Sequence, residues 1–220
     1  MTDDELKELA NQLRKPSGIK GQEVATSMYQ TNLSMIGHAI NKLNLSDNQR
    51  VLEIGFGSGK HIPEIFDYAT NLQYFGLEIS ELMLQEAKKY LKNRGRASQA
   101  DLLLYDGQKI PSQIRDLDRI FTVNTIYFWE KPIEFIVKLY DLLRVGGKLS
   151  VTFGLKKYME KLPFTQYGFV LYSEEDFEQL AAHTLCDAID KYIQLEKVPS
   201  KIDGKLIERA FVTYVLVKNS

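Results

Sequence analysis

Residues 51–60 read Val-Leu-Glu-Ile-Gly-Phe-Gly-Ser-Gly-Lys, a short apolar run broken by three alternating glycines. The run is too short for a helix and predicts a buried strand. Glycines at 55, 57 and 59 let the chain turn sharply and let a ligand approach main chain where a Cβ would collide. The helical pattern that follows, through Ile62, Ile65 and Phe66, sets a helix N-terminus beside the turn, where free N–H groups and the dipole favour a carboxylate or phosphate. From there strands and helices alternate. Strands are expected at 74–78, 102–105, 119–124 and 148–153. Helices open at Ser80, Pro132 and Ser173, with stops at Gly95 and Gly146-Gly147. Strict alternation predicts a mainly parallel sheet with helices on both faces. Two late alternating runs, 188–195 and 210–217, flank a turn containing Pro199 and Asp203-Gly204 and predict an antiparallel hairpin at one edge. Ahead of the loop lies a helical preface. Thr2 and Glu5 form a capping box for a helix through Leu13, Pro16-Ser17-Gly18 break it, and a second helix runs over about 23–43.

Composition narrows the function classes. The 220 residues carry 28 Lys+Arg against 29 Asp+Glu, a net charge of −1, which lacks the basic footprint of a nucleic-acid-binding surface. No apolar run approaches the roughly 18 residues needed to span a bilayer. The acidic start Met-Thr-Asp-Asp-Glu is the reverse of a signal peptide. A lone cysteine, Cys186, forms no internal disulfide and points to a reducing, cytoplasmic setting. His38, His61 and His183 lack metal-ligand spacing, so no metal is expected. The expected partner is a small molecule, with neither nucleic acid nor membrane, and the oligomeric state is left open.

Three ligands compete for the glycine loop. A phosphate-binding P-loop requires glycine at Ile54 and Ser or Thr at His61, and fails at both. The dinucleotide spacing G-x-G-x-x-G puts its last glycine at Lys60. The G-x-G-x-G loop of S-adenosylmethionine (SAM) proteins, with an acid two places earlier at Glu53, fits without edits. A glycine turn with no ligand stays open on the loop alone, so the other strand ends have to decide. The second strand ends in Gly76-Leu77-Glu78-Ile79-Ser80, where a carboxylate can accept both hydroxyls of a ribose. The third ends in Tyr105-Asp106-Gly107-Gln108, where a carboxylate can accept from an adenine amine. The fourth ends in Val123-Asn124-Thr125. In open parallel sheets, ligands sit beyond these carboxyl ends.

Over about residues 46–155 the sequence resembles the class I SAM-dependent methyltransferase family, small-molecule branch. The resemblance is carried by Leu52 to Gly59, by Gly76 to Ser80 with Met83 and Ala87, by Asp106 with Ile110-Pro111, and by Gly146-Gly147. It implies a three-layer, Rossmann-like, doubly wound, mostly parallel α/β sheet with an antiparallel C-terminal edge hairpin. It divides the chain into a helical N-terminal lid, 1–45, and a SAM-binding domain, 46–220, within one structural domain. It implies SAM as methyl donor, leaving as S-adenosylhomocysteine. Gly55, Gly57 and Gly59 would pass beneath the methionine portion, following Glu53. Glu78 would bind the ribose, Ile79 would pack on adenine, and Asp106 with Gly107 would meet the adenine edge. Asn124 would lie near the methionine amino group and the transferring methyl. Tyr105 stands where the family often has glycine.

In-line methyl transfer asks the protein to align nucleophile, methyl and sulfur and to exclude water. No residue is assigned as a base. His61 is read as capping or packing at a helix start. The expected acceptor pocket contains Tyr127 and Trp129 after the fourth strand, Tyr167 in the segment 164–169, and Tyr29, which with Asn32 lies on one face of the second helix. For each aromatic, simple packing is the competing explanation. Lys156-Lys157 is expected as a solvated turn. Two rival functions stay open: a SAM-binding protein without turnover, and a nicotinamide-dependent oxidoreductase.

Overall fold

The computed structural model describes residues 1–186, 188–200 and 204–219. Helices α1 (Asp3–Arg14) and α2 (Gly18–Leu43) precede the alternating body. There follow β1 (Arg50–Ile54), α3 (Ile62–Tyr68), β2 (Gln73–Glu78), α4 (Glu81–Asn93), β3 (Ala100–Leu104) and β4 (Leu117–Val123). Then come α5 (Pro132–Asp141), β5 (Leu143–Gly154), a single-turn α6 (Lys156–Met159), α7 (Glu174–Ala182), β6 (Ala188–Pro199) and β7 (Leu206–Val217). The sheet order is β3-β2-β1-β4-β5-β7-β6. The first five strands pair in parallel, and β7 runs antiparallel to both β5 and β6.

Successive residues of β1 explain why both faces must be covered. Val51 packs into a cluster with Ala39, Ile62, Ile65 and Ala87 on one face of the sheet. Leu52 and Ile54 join a cluster with Ile136, Leu139, Phe153 and Phe177 on the other. A strand apolar on both sides is the signature of a parallel sheet sandwiched by helices. Because β2 and β4 leave β1 on opposite sides, a crevice opens beyond the carboxyl ends of β1 and β4, the switch point where such folds take ligands.

Local chemistry sets the helix boundaries. Thr2 and Glu5 exchange main-chain and side-chain bonds at α1, as Ser173 and Asp176 do at α7. The break between α1 and α2 is shorter than the sequence predicts. The amide of buried Gln12 accepts from the Ser17 N–H at 2.8 Å, which pins the turn and lets α2 start at Gly18 instead of about residue 23. The Gly146-Gly147 pair does not close α5 but lies inside β5, which begins at Leu143. The Gly146 N–H donates to the Lys218 carbonyl at 2.6 Å, and the β4–β5 register skips between Leu117 and Arg119. Lys156-Lys157 is exposed, as expected, and opens the single helical turn of α6, with the Met159 N–H bonded to the Leu155 carbonyl at 3.1 Å. The late strands extend further than their alternating patterns, through Pro199 and from Leu206. Asp203 of the predicted turn lies outside the described residues.

Two glycines should respond oppositely to a methyl group. A Cβ on Gly147 would sit 2.8 Å from the Arg144 carbonyl oxygen and 3.0 Å from that of Leu117. Gly147→Ala is expected to destabilise by about 1–3 kcal/mol in urea unfolding. Gly37, exposed within α2, has nothing within 4 Å of its Cβ position. Gly37→Ala is expected to stabilise by about 0.5–1 kcal/mol, through the helix propensity alone.

Candidate active site

The loop after β1 turns through positive φ at Gly55 (75°), Gly57 (57°) and Gly59 (64°), so its glycines are conformationally required. They differ in what surrounds them. A Cβ on Gly55 would meet the Thr125 methyl at 2.4 Å, and one on Gly59 would meet Ala87 of α4 at 2.7 Å. Those two positions let β1 close on the β4 turn and α3 on α4. Gly57 has nothing within 4 Å and lies on the wall of a cavity at the strand ends.

The loop is held in place by Glu78. The residue is 5% exposed, and its Oε2 accepts the Gly57 N–H at 2.9 Å. Oε1 accepts the N–H groups of Ile79 (2.8 Å) and Ser80 (2.9 Å). Of roughly four lone-pair sites on a carboxylate, three are taken by main chain. Burial raises the Glu78 pKa, and these N–H bonds act against that rise. Ser80 extends the network. Its hydroxyl donates to the Pro16 carbonyl at 2.5 Å and accepts the Met83 N–H, tying the α1–α2 break to the start of α4.

A second acid lies deeper. Glu53 is buried, with the His61 Nε2 at 3.0 and 2.9 Å from its two oxygens and the Tyr74 hydroxyl donating to it. Burial and the Glu53 charge push the Tyr74 phenol well above its ordinary value. His61 therefore makes no side-chain cap at α3 but bonds Glu53 across the loop, and its buried Nδ1 has no hydrogen-bond partner among the described residues. Residues eight apart on either side of a turn carry no sequence signature of such a contact.

The cavity brings together Glu53, Gly55, Gly57, Glu78, Ile79, Gly107, Asn124, Tyr29 and Trp129. Leu13, Arg14 and Pro16 from the α1 end, and Met28 and Asn32 from α2, cover it. Gly59 stands behind the wall. The Asp106 carboxylate is exposed and turned to its own loop, accepting the N–H groups of Lys109 (2.7 Å) and Gln108 (2.9 Å), which lower its pKa. Tyr105 lines the cavity, its phenol raised by burial and by the nearby Glu78 and Asp106 charges. Asn124 adopts a left-handed φ of 60° at the end of β4. Its Oδ1 accepts from the Tyr127 hydroxyl at 3.0 Å, and its Nδ2 lies 3.3 Å from the Met35 sulfur. Trp129 donates to the Thr125 hydroxyl at 3.1 Å.

Tyr127 faces a second cavity that adjoins the first; the two share Leu13, Met28, Asn32, Asn124 and Phe128. Tyr167 lines neither, and packs with Leu6, Leu13 and Phe164 beside α1, with the Lys7 ammonium 5.6 Å from its ring. Among the described residues, no cluster of three or more His, Cys, Asp or Glu side chains is arranged to hold a metal. No described helix is long and apolar enough to cross a membrane.

This geometry can be set beside known proteins. Residues 51–147 match the family model described as a methyltransferase domain. The uncharacterized methyltransferase YdaC of Bacillus subtilis is 26% identical over 126 residues, covering 57% of this chain and 67% of YdaC. A tRNA U34 carboxymethyltransferase of Shewanella frigidimarina is 31% identical over 103 residues, 46% of this chain and 30% of that protein, so the shared part is under a third of that enzyme. Among solved structures, a chain of the Haloferax volcanii complex between the Trm112 methyltransferase activator and a methyltransferase superposes with a TM-score of 0.73 at 14% identity, covering 100% of both chains. A Haemonchus contortus phosphoethanolamine N-methyltransferase 2 in complex with S-adenosyl-L-methionine gives 0.67 at 15% identity, over 89% of this chain and 57% of that one. At these identities the two structures speak to the fold.

Tyr74→Phe removes one of the donors to the buried Glu53 carboxylate. It is expected to cost about 1–3 kcal/mol in urea unfolding, with the helical circular dichroism of the folded protein unchanged.

Proposed function

Because the chain belongs to the class I SAM-dependent methyltransferase family, we propose that it transfers a methyl group from SAM to a small-molecule acceptor, with the cofactor in the first cavity. The observation that carries this reading is the buried Glu78 carboxylate, bound by main chain on three sides and bordering the cavity with its remaining capacity. A ribose diol fits that acceptor-only group, the second hydroxyl exchanging for the Gly57 N–H. The open space above Gly57 is room that any side chain would fill, as close approach of the methionine portion requires. The unpartnered His61 Nδ1 and the Glu53–His61 pair add polar groups at the deep end, suited to the zwitterionic tail.

The remaining assignments follow the strand ends. Gly55 and Gly59 keep the loop in the shape that presents Gly57. Ile79 packs against the adenine, and the turn built by Asp106 presents Gly107 at its edge. Asn124, fixed by Tyr127, stands at the junction of the two cavities where the methyl would pass. Residues 1–45 serve as a lid, with Leu13, Pro16, Met28 and Tyr29 excluding water from the reacting groups. When bound, the sulfonium cofactor supplies an electrophilic methyl; the chain itself supplies alignment and a dry enclosure. Trp129 borders the cofactor cavity and Tyr127 the adjoining one. A small acceptor suits a chain of net charge −1 better than a polyanion does.

Calorimetry with S-adenosylhomocysteine tests the reading. Saturable binding is expected, weakened about 10- to 100-fold in Glu78→Ala, the loss anticipated for a hydrogen bond to a charged group. The carboxylate must be ionised to accept two hydroxyls. Since its pKa is raised, affinity is expected to fall as pH is lowered, beginning at a higher pH than for an exposed glutamate. In Glu78→Gln that fall should be absent. Undiminished binding in Glu78→Ala contradicts the assignment.

A further inference from the structure

The second cavity is chemically unlike the first. Its walls are mostly apolar and aromatic: the Phe128 and Phe169 rings meet edge to face with centroids 4.6 Å apart, and Tyr127 and Phe164 lie 5.6 and 5.9 Å from Phe169. Met159 and Ile207 extend this lining. Among the described residues one cation borders it, Arg209, and that charge is already spent. Its Nε donates to Glu196 at 3.0 Å, its Nη2 donates to the same carboxylate and to the Thr31 carbonyl at 2.7 Å, and Glu196 in turn accepts from the Ser34 hydroxyl. No Asp, Glu or Lys is among the described residues lining this cavity.

Among the described residues its neutral polar side chains are occupied too, with one exception. The Tyr127 hydroxyl accepts from the Gly154 N–H at 2.6 Å and lies 3.0 Å from the Asn124 Oδ1. The Thr31 hydroxyl bonds the Ser27 carbonyl at 3.0 Å. Asn32 is the exception: its Oδ1 is buried with no hydrogen-bond partner among the described residues, on a residue that borders both cavities. A buried acceptor without a donor costs free energy, and a ligand that supplies the donor recovers it.

We infer that the second cavity selects an uncharged, apolar or aromatic acceptor that presents an O–H or N–H to Asn32 Oδ1. This inference rests on the first cavity being the cofactor seat. An anionic acceptor would meet no unpaired cation among the described residues, because Arg209 is neutralised by Glu196. A cationic acceptor would find ring faces but, among the described lining residues, no carboxylate to pair with. An uncharged donor placed at Asn32 sits at the boundary between the cavities, where the acceptor atom has to be. Asn32 thereby acts as a specificity-determining residue and the Arg209–Glu196 pair as a charge filter.

The test uses four matched probes on the full chain saturated with S-adenosylhomocysteine, read by ligand-observed NMR at neutral pH. These are 4-methylphenol, 4-methylanisole, 4-methylphenyl phosphate and 4-methylbenzylamine. The phenol is expected to bind at least tenfold more tightly than the phosphate or the amine, and several-fold more tightly than the ether. Asn32→Ala should abolish the advantage of phenol over ether. Glu196→Gln, which leaves Arg209 a neutral partner, should raise affinity for the phosphate at least fivefold. Phosphate or amine binding as tightly as the phenol, no binding of any probe, or no response to either substitution overturns the inference while the cofactor reading stands. Failure of the wild-type chain to bind S-adenosylhomocysteine overturns both.

Discussion

One carboxylate organises the ligand end of this molecule. Glu78 is taken out of water at the end of β2, a position that is costly unless its oxygens are met by donors. The donors it finds are main-chain N–H groups on two separate segments, Gly57 in the glycine loop and Ile79 and Ser80 at the entry to α4. The loop therefore cannot move independently of the second strand end. Ser80 carries the constraint onward to Pro16, so the N-terminal helices are registered against the same point. Cavity wall, cavity floor and cover are thus referenced to a single residue.

Much of this fold could be read in the chain because its signals are local. The apolar β1 run, the alternating strand and helix periods, and the Thr2, Ser80 and Ser173 caps each involve residues within a few positions of one another. Where reading and structure part, a contact between distant or oppositely facing groups decides. Gln12 pins Ser17 and lengthens α2. The Gly146-Gly147 pair looks like a helix stop in isolation, yet is recruited into β5 by its bonds with Lys218. Single-turn α6 is set by its place between β5 and α7, for which two lysines give no hint.

The candidate site divides along the same line. Glycine spacing and strand-end acids place Gly57, Glu78, Ile79 and Asn124 around one crevice, since any parallel sheet gathers its carboxyl ends. Side-chain direction is less legible. Asp106 turns to its own loop N–H groups, a choice open to any Asp followed by a tight turn, and Tyr167 leans on α1. The Glu53–His61–Tyr74 cluster and the Arg209–Glu196 pair join residues across a loop and across a hairpin. Only the folded register reveals them, and the second of them gives the adjoining cavity its neutral character.

The central claim is that the strand ends gathered by Glu78 form the cofactor seat. It is tested most directly by amide NMR spectra recorded during titration with S-adenosylhomocysteine. The account predicts saturable shifts of the Gly57, Ile79 and Ser80 amide signals, sharing one dissociation constant, with the amides of exposed β6 unmoved. Saturable binding that leaves those three signals in place would contradict it.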